Sequence, residues 1–156
     1  MKTLDWIFRL ALAAVFAGAA IAKIADPAEF HSAIQTYRML PASWVAPFAL
    51  WLPWVELCTA VAIFWPRHRH AALWIVGALN VLFLLALAQA WWRGLDIVCG
   101  CFGRPAAVRG AAYWNYVLRD LAFLAATAWL LVREWLATSA LAHAEKLRLS
   151  GVSRLR

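Results

Sequence analysis

Apolar positions in this chain gather into four long blocks, at about 4–25, 44–65, 71–93 and 112–135, separated by short polar stretches. Each block is close to the ~20 residues that a helix needs to cross bilayer hydrocarbon at ~1.5 Å rise per residue. Four such helices consume over half of the chain and leave only loops and a tail. Between the first two blocks the pattern changes. Asp26-Pro27-Ala28-Glu29 reads as helix N-cap, N1 proline and N3 glutamate. Phe30, Ile34 and Tyr37 then follow at spacings of four and three, which puts them on one face of a short amphipathic helix. That helix lies on the bilayer surface or caps the bundle, and a structural lid is the preferred reading.

The predicted fold is therefore an all-α integral membrane protein. A four-transmembrane-helix bundle occupies residues 1–136, and residues 137–156 form a basic cytoplasmic tail. No internal repeat interrupts it. The first block has a competing reading as a secretory signal, because Ala20-Ile21-Ala22 resembles a cleavage site. Asp5 and Arg9 within the block, and the membrane character of everything downstream, weigh against that.

Composition strengthens the picture. Hydrophobic residues make up 65% of the 156 positions, with a mean hydropathy of +0.69, more apolar surface than a water-soluble fold of this size can bury. Lipid must cover the surplus. Of the eleven tryptophans, eight fall near the ends of the candidate spans, where amphipathic rings prefer the interface, and Trp51, Trp54 and Trp129 sit well inside.

The net charge of +7 comes from residues scattered between apolar runs rather than gathered on one polar face, which argues against a nucleic-acid partner. Topology accounts for it instead. The N-terminal end, the second loop and the tail hold nine Lys and Arg, and the opposite side holds six. The positive-inside rule then puts both termini in the cytoplasm and the loop after the third span outside, in a bacterium the periplasm. The expected location is the bacterial inner membrane, as a multi-pass protein.

That outer loop carries the most informative stretch, Asp96-Ile97-Val98-Cys99-Gly100-Cys101-Phe102-Gly103. Two thiols separated by one glycine can close into a small strained disulfide, and a strained, exposed disulfide suits exchange better than stapling. A plain structural disulfide and a metal pair are the other readings. Metal ranks last, since only His31 shares the outer side while His68, His70 and His143 do not. Cys58 lies about 20 Å below the outer boundary at helical rise, too deep to meet Cys101, and reads as a small buried filler.

Polar residues within spans are costly and mark function by default. Lys23, Gln89, Asn115, Arg119 and Asp120 all fall within about eight residues of the outer ends of their helices, level with the cysteine loop. They form a candidate site for a quinone head group or for thiol tuning, in which Asp120 pairs with Lys23 or another helix, and Arg119 faces the bundle interior with Asp120 or a quinone oxygen as its partner. Glu56 and Asn80 lie deeper, placed to hydrogen-bond across the second and third spans. The bland reading is that Lys23 snorkels and the remaining groups clasp helices together.

The order of these features resembles the methylamine-utilisation MauE proteins of the wider MauE/DoxX group of redox-associated membrane proteins. The resemblance rests on Arg9, Gly18 and Lys23 followed by Asp26-Pro27, on Tyr37 with Leu40-Pro41, on Leu52-Pro53-Trp54-Val55-Glu56-Leu57, and on Cys99-Gly100-Cys101-Phe102-Gly103. It covers about residues 1–136. It implies a role in maturing periplasmic redox enzymes, with a thioredoxin-like periplasmic partner and the disulfide-rich subunit of a periplasmic dehydrogenase as client. By analogy of architecture with quinone-linked thiol oxidoreductases, a quinone is the candidate cofactor. Two functions follow. One is a thiol–disulfide carrier working through Cys99 and Cys101, and the other is a non-enzymatic assembly subunit whose cysteines form a structural disulfide.

Overall fold

A computed structural model of the chain describes residues 2–95, 97–98, 107–108 and 111–153, and side chains within 3–95, 113–140 and at 146. Among the described residues there are five helices: α1 (Lys2–Ala25), α2 (Pro27–Tyr37), α3 (Ala42–Ala62), α4 (Arg69–Trp92) and α5 (Ala111–Ser153). Four of them, all but α2, are long and apolar enough to cross a membrane. The all-helical reading gains one small addition. Two-residue strands β1 (Ile97–Val98) and β2 (Ala107–Val108) pair antiparallel, Val98 opposite Ala107, in the connection between α4 and α5.

The span limits follow local chemistry. α3 begins after Pro41, which fixes its own φ for the N-cap position, and ends at Ala62, three residues before the expected limit. A tight turn through Phe64 and Trp65 leads directly into α4 at Arg69, two residues earlier than expected. α5 differs more. It runs for 43 residues without a break, so the stretch expected as a tail from position 137 continues α5 as far as Ser153.

α2 forms as its N-terminal signature requires. Asp26 accepts from the Glu29 backbone N–H at 2.9 Å and Pro27 opens the first turn. The capping box is one-sided, because the Asp26 N–H already donates to Ala22 at the end of α1. Arg38 ends the helix in the left-handed region at φ 51°, and its N–H donates to Gln35. Phe30 and Ala33 are buried, and Ile34 and Tyr37 pack against the bundle beside them, so α2 caps the bundle as a lid.

α1 packs on α3 and α4 on α5, with α3 and α4 closing the bundle between them. The core runs from Leu12 and Phe16 through Leu52, Leu73 and Val76 to Leu130. All eleven tryptophans point away from it, each between 44% and 90% exposed. Lipid is the solvent that tolerates such a surface. The multi-pass membrane reading thus rests on the outside of the molecule as much as on the lengths of its helices.

Candidate functional site

The buried stripe of α1 is Leu12, Phe16, Ala19 and Ala20, and the next position on that stripe is Lys23, only 2% exposed. On α3 the stripe Val45, Ala49, Leu52 reaches Glu56, 1% exposed. Because α1 and α3 pack together, the two meet. Lys23 Nζ donates to both carboxylate oxygens of Glu56, at 2.5 and 2.7 Å. The ammonium also lies 5.0 Å from the ring centre of Phe30 and 5.1 Å from that of Phe83. One carboxylate and two aromatic faces thus replace its water.

This corrects two expectations. Lys23 does not snorkel to an interface, and Asp120 is not its partner. A lysine stem reaches water only if it lies on the outside of its helix, and the stripe position of Lys23 turns it inward instead. Asp120, 4% exposed, pairs within its own helix: Arg119 Nε and Nη2 donate to its Oδ1 at 2.9 and 2.8 Å. Arg119 also lies 5.1 Å from the centre of the Tyr116 ring.

Asn80 completes the group. It is 2% exposed on the buried stripe of α4, yet its side-chain nitrogen finds no hydrogen-bond partner among the described residues. It does not bond to Glu56, as had been expected from their shared depth. Both line a cavity of about 40 Å³ together with Lys23, Arg119 and Asp120, with Phe16, Phe83 and Phe123 as its apolar walls. Four helices therefore bring five polar side chains to one small, partly open pocket between them.

Two residues expected in this group fall outside it. Gln89 sits one turn from the end of α4. With its amide oriented to suit its neighbours, it donates to the Tyr37 carbonyl at 3.1 Å and accepts from Arg93. It secures the end of the lid helix. Asn115 is exposed on the outer surface of α5, because the inward stripe of that helix runs through Tyr113, Asp120, Thr127 and Leu130. Cys58 also faces outward from α3 with a free thiol, and does not fill the interior.

A larger cavity of about 140 Å³ lies beneath α2, lined by Phe30, Ile34, Tyr37, Phe48, Leu82 and Phe83 among others. Its walls are almost wholly apolar. It equals in size the ~150 Å³ cavity that holds a benzene ring, whereas the space beside Lys23 is far smaller.

The opposite end of the bundle has an ion cluster that the sequence did not single out. Glu134 on α5 accepts from Arg9 of α1 and from Arg69 of α4, each at 2.9 Å. Asp5 pairs with Arg133 at 3.4 Å and accepts from the Trp129 indole at 3.3 Å. Three spans are thereby tied at one level. The available signal was Arg9 and Glu134, each a charge set within or against an apolar block.

Cys99, Cys101 and the neighbouring Asp96, Gly100, Phe102 and Gly103 lie outside the described residues. Their place in the chain is nonetheless bounded. Cys99 directly follows β1, and β1 packs against the lid helix α2.

A family model, "Methylamine utilisation protein MauE", matches residues 1–133. The chain belongs to the MauE family. Among its relatives, the methylamine utilization protein MauE of Methylophilus methylotrophus is 41% identical over 114 residues, which are 72% of this chain and 60% of the relative. The MauE of Paracoccus denitrificans is 34% identical over 121 residues, 77% of this chain and 64% of the relative. That of Methylorubrum extorquens is 37% identical over 95 residues, 60% of this chain and 51% of the relative. The chain thus matches about three-fifths of the length of these curated relatives. No solved structure matches it. The region matched to the MauE model contains the Lys23–Glu56 pair, the Arg119–Asp120 pair and both loop cysteines, and it ends one residue before Glu134.

Proposed function

We propose that this MauE protein serves periplasmic thiol–disulfide redox maturation in a methylamine utilisation system. It exchanges electrons with a thioredoxin-like partner through Cys99 and Cys101. The observation that carries this reading is a Cys-Gly-Cys sequence placed directly after β1, at the lid end of a membrane bundle of the MauE family. The chain sits in the bacterial inner membrane with both termini cytoplasmic and this loop periplasmic, where disulfides persist. The client is a disulfide-bearing subunit of a periplasmic dehydrogenase.

In the exchange, the thiolate of one loop cysteine attacks a sulfur of the partner's disulfide, and the partner's other sulfur leaves as a thiolate. The second loop cysteine then attacks the mixed disulfide. The loop pair ends oxidised to a disulfide and the partner reduced to a dithiol, with two electrons transferred. Run in reverse, the same steps oxidise a partner. A quinone, when bound, would accept two electrons from the reduced loop pair, and its quinol would donate two to the oxidised pair. The ring-sized apolar cavity under α2 supports that position, between Phe30, Tyr37, Phe48 and Phe83. The polar cavity beside Lys23 is too small for a ring.

The test is trapping. Cys99→Ser and Cys101→Ser chains, expressed in a host carrying the methylamine genes, are expected to accumulate a mixed disulfide with a periplasmic thioredoxin-fold protein that reductant dissolves. The absence of an adduct with either variant, while both reach the membrane, would overturn the carrier reading in favour of a structural disulfide.

A further inference from the structure

We infer that the small pocket lined by Lys23, Glu56, Asn80, Arg119 and Asp120 is a hydration site inside the membrane, whose bound water joins the two ion pairs into one proton-sharing network. The inference does not depend on the cysteine chemistry.

The first ground is unfinished hydrogen bonding. A buried amide without a partner costs ~1–3 kcal/mol, more than most side-chain hydrogen bonds return, and Asn80 is 98% buried with its Nδ2 unpaired. Among the described residues no acceptor bonds to it. The Lys23–Glu56 and Arg119–Asp120 pairs line the same space, so an ammonium, a guanidinium and two carboxylates face the amide across it. A water molecule placed there receives from Asn80 and donates to a carboxylate, and so meets the two to four polar partners that buried water requires.

The second ground is size. The cavity holds about 40 Å³, and a single water needs ~10–15 Å³ on such a measure. A few waters fit and an aromatic ring does not. The third ground is charge balance. Two cations and two anions surround the space, so it has no net charge to attract a bare ion, while its fixed dipoles hold a neutral polar molecule well.

Such a network passes protons. A proton taken up by Asp120 moves to the bridging water, which hands a different proton to Glu56, while Lys23 and Arg119 keep their charges. The water is unchanged, Asp120 returns to carboxylate, and Glu56 ends protonated. Arg119, whose side chain is 27% exposed, forms the outer wall of the site.

Radiolytic hydroxyl-radical labelling of the full chain in lipid nanodiscs tests the site, because radicals form where water is bound. Phe83 and Phe123 are expected to be oxidised, whereas Phe48, also half-buried but lining only the apolar cavity under α2, is not. Asn80→Leu is expected to lower labelling of the two phenylalanines several-fold. Asn80→Val replaces it if that variant does not accumulate. Unlabelled Phe83 and Phe123 in the wild type, or unchanged labelling in the variant, overturns the hydration site. Infrared spectra with ¹³C-labelled aspartate test the coupling: the Asp120 carboxyl band, assigned by its loss in Asp120→Asn, is expected to shift in Glu56→Gln. A band indifferent to Glu56 overturns the shared network.

Discussion

Lys23 and Glu56 stand 33 residues apart in the chain, on α1 and α3, and both are within 2% of complete burial. Neither would be stable alone at that depth. A charge shut inside a membrane bundle without a partner is costly, up to the ~2.5–3.5 kcal/mol that insertion scales give at the centre of a span. The pair offsets this by contact, and the contact fixes how α1 lies against α3. Register between the helices is therefore set by one bidentate interaction among otherwise smooth apolar surfaces.

Removing one member of the pair should cost more than removing both. Lys23→Met leaves a buried carboxylate without its cation and is expected to destabilise the bundle by about 3–5 kcal/mol. The double variant Lys23→Met, Glu56→Leu is expected to recover most of that loss. Unfolding titrations in mixed micelles give all four corners of the cycle, and strict additivity would show that the pair contributes no coupling.

The cluster at the other end predicts a milder effect. Glu134→Gln keeps the side-chain shape but removes the charge that two arginines share, so Arg9 and Arg69 are left facing each other. A loss of about 2 kcal/mol is expected, since each charged hydrogen bond contributes ~1.5–3 kcal/mol and the cluster is partly solvated. The same titrations check it, and an unchanged midpoint would mean that the cluster is decorative.

Asp26→Ala removes the side-chain acceptor for the Glu29 N–H and is expected to loosen α2 by about 1 kcal/mol. The change is local. Hydrogen exchange should quicken in the first turn of α2 by several-fold, while amides of α1 and α3 exchange as before.

Cysteine accessibility checks the orientation. On intact reduced cells a membrane-impermeant thiol reagent is expected to modify Cys99 and Cys101 and to spare Cys58, which faces lipid from within α3. A lipid-soluble maleimide should reach Cys58 as well. Modification of the loop pair only after permeabilisation would invert the topology.

Much of the fold was legible because its strongest signals are local. Blocks of apolar residues give the spans, and Asp26, Pro27 and Glu29 give the start of the lid helix whatever surrounds it. The site was legible only in part. Position along each helix was readable only roughly: Lys23, Arg119 and Asp120 were set at one level and Glu56 and Asn80 at a deeper one, whereas all five line a single pocket. Direction around each helix was not readable, because α3 and α4 are apolar on every side and leave no polar face from which to count. Hence Asn115 and Gln89 shared a level with the cavity residues but not a direction. The partner of Asp120 was left open between Lys23, another helix and Arg119, because pairing depends on which neighbours touch, and that is a property of the packing alone. Glu134 escaped notice because its two arginines, Arg69 and Arg9, stand 65 and 125 residues earlier in the chain.

The outward tryptophans have a practical consequence for anyone following this protein by its light emission. All eleven indoles meet the surrounding lipid or detergent and none is enclosed in the core. Intrinsic fluorescence will therefore report the solvent shell: brominated acyl chains should quench nearly all of it, and a change of detergent should move the spectrum without any change in fold. Loss of the Lys23–Glu56 pair, by contrast, would pass almost unseen by these chromophores.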